Sequence, residues 1–303
     1  MKNKKLNILV ILCILIAVIG SIVGIRSTLK IMQTTSKQTK MASAALAAKP
    51  IAEPIPTESP EITETPTPEP TKAPDTTATP EPTEEPTPEP TPVGNGHIVA
   101  IDAGHQAQGN SAGEPIGPGA SETKPKVASG TTGRTTGVPE YQLNLDVSLK
   151  LRDELQSRGY QVVMIREDHN VDISNAERAE IANNSGAEIF LRIHANGSDD
   201  TSVKGALTMA PSSSNPYVGS IASSCQELSQ KVVDAYCAAT GFKNMGVQNY
   251  DNMSGINWCK IPVTIVEMGF MTNPDDDTAM QDQDMQNRMA SGISDGVDDY
   301  FGI

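Results

Sequence analysis

Two histidines and two glutamates stand at points in this 303-residue chain where an ordered sheet would gather them. His105 closes the apolar run IVAIDAGH, His194 closes AEIFLRIH, and Glu267 closes IPVTIVE. Glu140 opens the amphipathic stretch EYQLNLDVSLKLRDEL. In open α/β sheets, ligands collect just outside the carboxyl ends of the strands. Three such ends and one helix start describe a single site, with two imidazoles, one carboxylate and a second carboxylate to spare. That is the donor set of a catalytic zinc ion with an open position, together with a general base. Each residue alone has a plainer reading. A strand-end histidine is more often a hydrogen-bonded loop residue, and an acid in a first helical turn suits the macrodipole. Glu267 is the odd one, because Val263, Ile265 and Val266 precede it and Met268 and Phe270 follow. A carboxylate in that company needs a partner or an altered pKa. Asp102, three residues before His105, is a candidate to orient a histidine from behind, or else a turn residue after the strand.

The elements that would position these residues alternate between strand and helix, the pattern of a layered α/β fold. Strands are expected over His97–Asp102, Tyr160–Arg166, Ala187–His194, Lys204–Met209 and Pro262–Glu267. Leu143, Val147, Leu151 and Leu155 recur at four-residue spacing in a helix from Glu140 to Ser157, ended by Gly159. Ser174 and Glu177 form a capping box for a helix through Ala182. A further helix is expected over Val218–Ala239, and a last one from Asn273-Pro274-Asp275, whose acidic residues favour a helix amino end. Residues Ala103 to Val138 are too polar and too rich in Gly and Ser to read as regular structure, and loops of that length are often functional.

Three chemically distinct parts share the chain: 1–30, 31–95 and 96–303. The first carries an apolar run from Leu6 to Ile25, long enough for a ~30 Å hydrocarbon core. Lys2, Lys4 and Lys5 precede it, so a membrane anchor with a cytoplasmic tip is expected; a cleaved signal peptide is the competing reading, and either exports the remainder. The second part is a Pro/Thr/Glu-rich linker in which TPEPT recurs at Thr67, Thr79 and Thr87. It is expected to stay extended and disordered. From residue 94 onward there are 27 acidic and 14 basic residues, a balance that argues against a nucleic-acid partner. Cys225 and Cys237 are too far apart on one expected helix to bridge, and no C-x-x-C pair marks a structural zinc site.

The strings VAIDAGHQ, ISNAERAEIANNSGAEIFLRIHANG and IPVTIVEMGFMTN resemble the zinc-dependent N-acetylmuramoyl-L-alanine amidases with a type 3 catalytic domain, from about His97 to Phe301. The resemblance implies a three-layer αβα sandwich around a mostly parallel sheet of about six strands. It implies one zinc ion held by His105, Glu140 and His194, with Glu267 as the catalytic carboxylate. The implied substrate is peptidoglycan, cut at the amide between N-acetylmuramic acid and L-alanine. Two departures stand out: AGHQ replaces the common GHGG, and 34 residues separate His105 from Glu140. Glu114 and Glu122 lie in that insertion and are candidates to cap the metal until an activator protein displaces the loop. Glu140 is preferred as the ligand because it alone precedes an amphipathic helix. Rival expectations are another zinc peptidase or aminoacylase of the cell envelope, and a tethered wall-binding module without activity. The expected location is the cell membrane, single-pass, with the catalytic domain outside, or the cell wall if the first segment is cleaved.

Overall fold

The strand-sized apolar runs pair side by side in the computed structural model, which describes residues 94–303. The expected anchor over 1–30 and nearly all of the linker over 31–95 lie outside the described residues. Among the described residues no helix is long and apolar enough to cross a membrane. The order of elements is β1 (Ile98–Ala103), β2 (Asn110–Pro115), β3 (Thr123–Val127), α1 (Glu140–Ser157), β4 (Gln161–Met164), α2 (Asn175–Asn184), β5 (Ile189–Asn196), β6 (Ala206–Ala210), α3 (Ala222–Thr240), β7 (Asn244–Asn249), α4 (Ser254–Asn257), β8 (Val263–Phe270), α5 (Pro274–Met280) and α6 (Gln283–Phe301).

Six strands form one sheet in the order β4-β1-β5-β8-β6-β7. All neighbours run parallel except β6 and β8, so the expected mostly parallel six-stranded sheet is observed. Successive side chains of a strand point to opposite faces, and both faces are covered. On one, Val99, Ile101, Leu191, Ile193 and Val266 pack against Leu143, Leu151, Val232, Tyr236 and Ile293 of α1, α3 and α6. On the other, Ala100, Phe190 and Ile265 meet Ala179 and Ala182 of α2 and Ile256 of α4. Burial on both faces explains why these strands read as nearly continuous apolar runs.

Several expectations need correction. The segment expected to be irregular contains an antiparallel hairpin, β2–β3. It docks on the second face, with Ala176 N–H donating to Glu114 (3.2 Å) and Trp258 Nε1–H donating to the Pro115 carbonyl (2.9 Å). Strand β7 is an addition, and the expected last helix is two, because α5 stops at Gln281 and Asp282 caps α6 by accepting from Met285 N–H (2.8 Å). The capping box at Ser174 and Glu177 is present as expected. Cys225, Cys237 and Cys259 are free and buried.

A charged cluster lies inside the second face. Asp102, at the end of β1, receives Arg178 Nη1 of α2 and Arg192 Nε of β5 (3.0 Å), and all three side chains are buried. Burial opposes ionisation of Asp102, yet the two guanidiniums hold its carboxyl well below the usual range. Arg178 also donates to the carbonyls of Ala103 (3.1 Å) and His105 (3.0 Å). Arg166 donates to Ala103 (2.7 Å), Gly104 (3.0 Å) and Tyr141 (2.8 Å). Asp102 therefore organises arginines and makes no hydrogen bond to a histidine, contrary to expectation; the arginines in turn fix the backbone of the loop after β1. Removing a buried partner leaves charges uncompensated. Asp102→Ala is expected to destabilise the domain by about 3–5 kcal/mol, read from the midpoint of urea unfolding at unchanged slope.

Candidate metal centre

The loop after β1 turns sharply enough to place His105 at φ 61°, the only non-glycine residue with positive φ among those described. Such a conformation is strained for an L-residue and persists where the surroundings enforce it; here the arginine clamps do so. The Nδ1 of His105 lies 2.8 Å from the Ala128 carbonyl. A carbonyl only accepts, so Nδ1 carries a proton and Nε2 is the ring nitrogen turned to the site. Immediately before it, Gly104 passes so close to the second imidazole that a Cβ there would stand 2.3 Å from His194 Cε1 and Nε2.

His194 lies two residues before the end of β5, and its register partner across the ladder is Glu267 of β8. Glu140 reaches over the same sheet edge from the first turn of α1. Its Oε1 lies 3.1 Å from His105 Nε2 and 3.2 Å from His194 Nδ1. The carboxylate is fixed from behind: Oε1 accepts from Asn144 Nδ2 and Ala195 N–H (both 3.2 Å), and Oε2 accepts from Thr131 N–H (2.8 Å). Thr131 belongs to the loop before α1, which Asp277 ties down by accepting from Thr135 N–H (2.7 Å), Thr136 N–H (2.9 Å) and Thr136 Oγ1 (2.7 Å).

The electrostatics suit a cation. Burial would raise the pKa of Glu140, but hydrogen bonds and charge from His105 and His194 hold it well below the usual range. Burial pushes His194 down to about 4, against the pull of Glu140, so its imidazole is neutral at pH 7, the form that binds metals. Its Nε2 is buried with no hydrogen-bond partner. One ligand atom from each of His105, Glu140 and His194 falls within 4.8 Å of the others. Glu267 is pushed up to about 8, first by burial and then by repulsion from Glu140.

Four of the sequence candidates thus converge: His105, Glu140, His194 and Glu267. All four border a cavity of about 380 Å³, with residues 128–131, Asn196 and Gly197. Glu114 and Glu122 do not share it. Glu114 is buried against the start of α2, and Glu122 is exposed at the hairpin turn. The hairpin segment instead walls a second cavity, about 280 Å³, through Lys124, Pro125, Val127 and Ala128. Sequence reasoning left out Arg166, Arg178, Asn144 and Asp277, whose roles depend on contacts far away in the chain. It also left out Arg192, although a charge set inside the apolar run FLRIH is itself a signal, since buried charges need partners.

Residues 99–299 match the family model described as N-acetylmuramoyl-L-alanine amidase (Amidase_3). The chain is similar to the N-acetylmuramoyl-L-alanine amidase LytC of Bacillus subtilis, 26% identical over 211 residues, covering 69% of this chain and 40% of LytC. It therefore spans less than half the length of that relative. Similarity to the N-acetylmuramoyl-L-alanine amidase Rv3717 of Mycobacterium tuberculosis is 27% over 210 residues, covering 67% of this chain and 85% of the relative. Among solved structures, the N-acetylmuramyl-L-alanine amidase Ami1 from Mycobacterium smegmatis superposes with a TM-score of 0.63 at 26% identity, covering 69% of this chain and 98% of Ami1.

Two outcomes follow from the geometry. Gly104→Val drives a side chain into the His194 ring and is expected to weaken metal binding by roughly 10–100-fold, measured by competition with a chromogenic chelator, while the circular dichroism spectrum is kept. In the metal-free domain Glu267 has a raised pKa, so its neutral form stabilises the fold fully below the unfolded value near 4.5 and this is lost as pH rises through about 8. Metal-free wild type should therefore lose stability relative to Glu267→Gln between those pH values; parallel urea midpoints across that window would contradict the assignment.

Proposed function

This chain belongs to the N-acetylmuramoyl-L-alanine amidase family, its folded domain is an amidase of that family, and we propose that it hydrolyses the muramoyl–alanine amide of peptidoglycan with one zinc ion held by His105, Glu140 and His194. The observation that carries this reading is the convergence of two imidazoles and one buried carboxylate on a single point, with a second carboxylate beside it. Two histidines and a glutamate are a zinc donor set, and here His105 Nε2 and His194 Nδ1 both approach one buried oxygen of Glu140, at 3.1 and 3.2 Å. Zinc bound there supplies Lewis acidity towards the amide carbonyl and eases ionisation of a water.

The protein groups perform the rest. Glu267 is placed by β-sheet register next to His194, within the same cavity. With an ion held by His105, Glu140 and His194, Glu267 would be a carboxylate at neutral pH despite burial and the repulsion from Glu140. It then takes a proton from the attacking water and hands it to the alanine nitrogen as the C–N bond breaks. Asn144, Thr131 and the Ala195 amide keep Glu140 oriented, and Ala128 keeps His105 in one tautomer.

For the whole protein we propose an exported enzyme tethered to the membrane by residues 1–30, with residues 31–95 as a spacer towards the wall. The support is the basic, apolar and Pro-rich succession in the sequence.

The test uses the full chain on purified peptidoglycan, counting new amino termini and new reducing sugar ends with and without a zinc chelator. Chelator-sensitive exposure of amino-terminal alanine without reducing ends is expected. Glu267→Ala should keep its zinc and lose at least about 100-fold in kcat. Cleavage elsewhere in the peptide would instead make the domain a zinc peptidase.

A further inference from the structure

Two unlike lobes meet at the centre, and both are bordered by His105, His194 and Glu267. The first, around residues 128–131, Asn196 and Gly197, has no charged side chain other than those of the centre. The second lies between the hairpin and the sheet, and there Lys124 and Arg192 join Pro125, Asn175, Met253 and Ile265. Two cations around one small cavity stand out in a domain with 27 acidic and 14 basic residues.

Arg192 is two residues before His194 on β5, so it projects from the same face of the sheet. Its side chain is only 4% exposed. Nε is bonded to Asp102 (3.0 Å) and Nη2 to Asn175 Oδ1 (2.8 Å), which leaves Nη1 with no partner among the described residues. That nitrogen sits where a side chain at position 255 would begin: a Cβ on Gly255 would stand 1.4 Å from it. Gly255 lines the same lobe, so the glycine makes room for the guanidinium and turns its unused N–H groups towards the cavity. Asp102 cannot neutralise what faces it, being one carboxylate shared between Arg178 and Arg192. A buried guanidinium edge with free donors is a fitting receptor for a carboxylate.

We infer that this second lobe binds a carboxylate of the stem peptide, carried by an acidic residue next to the alanine whose amide is cut; the inference rests on the amidase reading above. The chemistry of the substrate favours that side. N-acetylated sugars are uncharged, and the lactyl carboxyl of the muramic acid is consumed in the scissile amide. An anion near the centre must therefore come from the peptide, and the uncharged lobe is left for the sugar. A carboxylate one residue beyond the alanine lies within roughly 7 Å of the scissile nitrogen, a short reach for a lobe that borders the same centre. Arg192 thus selects substrate charge, and Lys124 on the hairpin reinforces it from the opposite wall.

The experiment is steady-state kinetics with zinc-loaded full-length protein on two muramoyl peptides. They are identical except that the second residue bears a free α-carboxylate in one and a carboxamide in the other. KM is expected to be about tenfold lower for the carboxylate, with kcat within about twofold, the scale of one charge-assisted hydrogen bond. Arg192→Gln should raise KM for the carboxylate to that for the carboxamide. Because Arg192 also pairs with Asp102, Lys124→Gln provides a variant outside the buried cluster, expected to narrow the preference by about threefold. Equal KM values with the wild-type protein would overturn the subsite, as would a preference that survives both substitutions. If neither peptide is cut, the amidase reading falls and takes the subsite with it; cleavage of both at one KM removes the subsite alone.

Discussion

A single buried carboxylate, that of Asp102, is the point on which the site rests. It is shared by Arg178 and Arg192, and those arginines reach from a helix on one side and a strand on the other. Arg178 and Arg166 also donate to the carbonyls of Ala103, Gly104 and His105. The result is a loop backbone held at every residue, including one forced to φ 61°. Buried ion clusters are weak evidence for stability as such, because desolvation offsets their attraction. Their value here is in specifying one conformation of a loop that would otherwise relax, and that conformation carries His105, one of three residues that could hold a metal ion.

The remaining parts of the site show the same division between a residue that faces the centre and residues that hold it. Glu140 faces in, while Asn144, Ala195 and Thr131 hold it; Thr131 is placed by a loop that Asp277 ties to α5. His105 faces in, while the Ala128 carbonyl sets its tautomer. Each held group makes hydrogen bonds on its outer side, so the inner lone pairs are left available in one direction. Such preorganisation of the ligands reduces what a cation must reorganise on binding.

Much of this was legible in the residues. The three strands that deliver His105, His194 and Glu267 are buried on both faces, so their apolar runs are unbroken and their polar ends conspicuous. Helix α1 announces itself through Leu143, Val147, Leu151 and Leu155. What escaped was structure stabilised by distant contacts. The hairpin segments NSAGEP and TKPKV lack alternation, and their order comes from docking on α2 and Trp258. Arg178 sits in a helix that reads as polar, NAERAEIANN, yet it is fully buried. Asp102 was read by its distance from a histidine along the chain, whereas its partners lie 76 and 90 residues away.

The ladder between β5 and β8 sets His194 and Glu267 side by side in register. Neighbouring strands keep a separation of about 4.8 Å, and this ladder is regular from Phe190 to His194 before its register shifts towards Asn196. The gap between His194 and Glu267 is thus measured by a ruler built into the sheet, independent of any loop. An insertion such as the hairpin can change in length or charge while that gap stays as it is. The spacing of these side chains is written in strands, and the shape of the space above them in what overhangs the sheet.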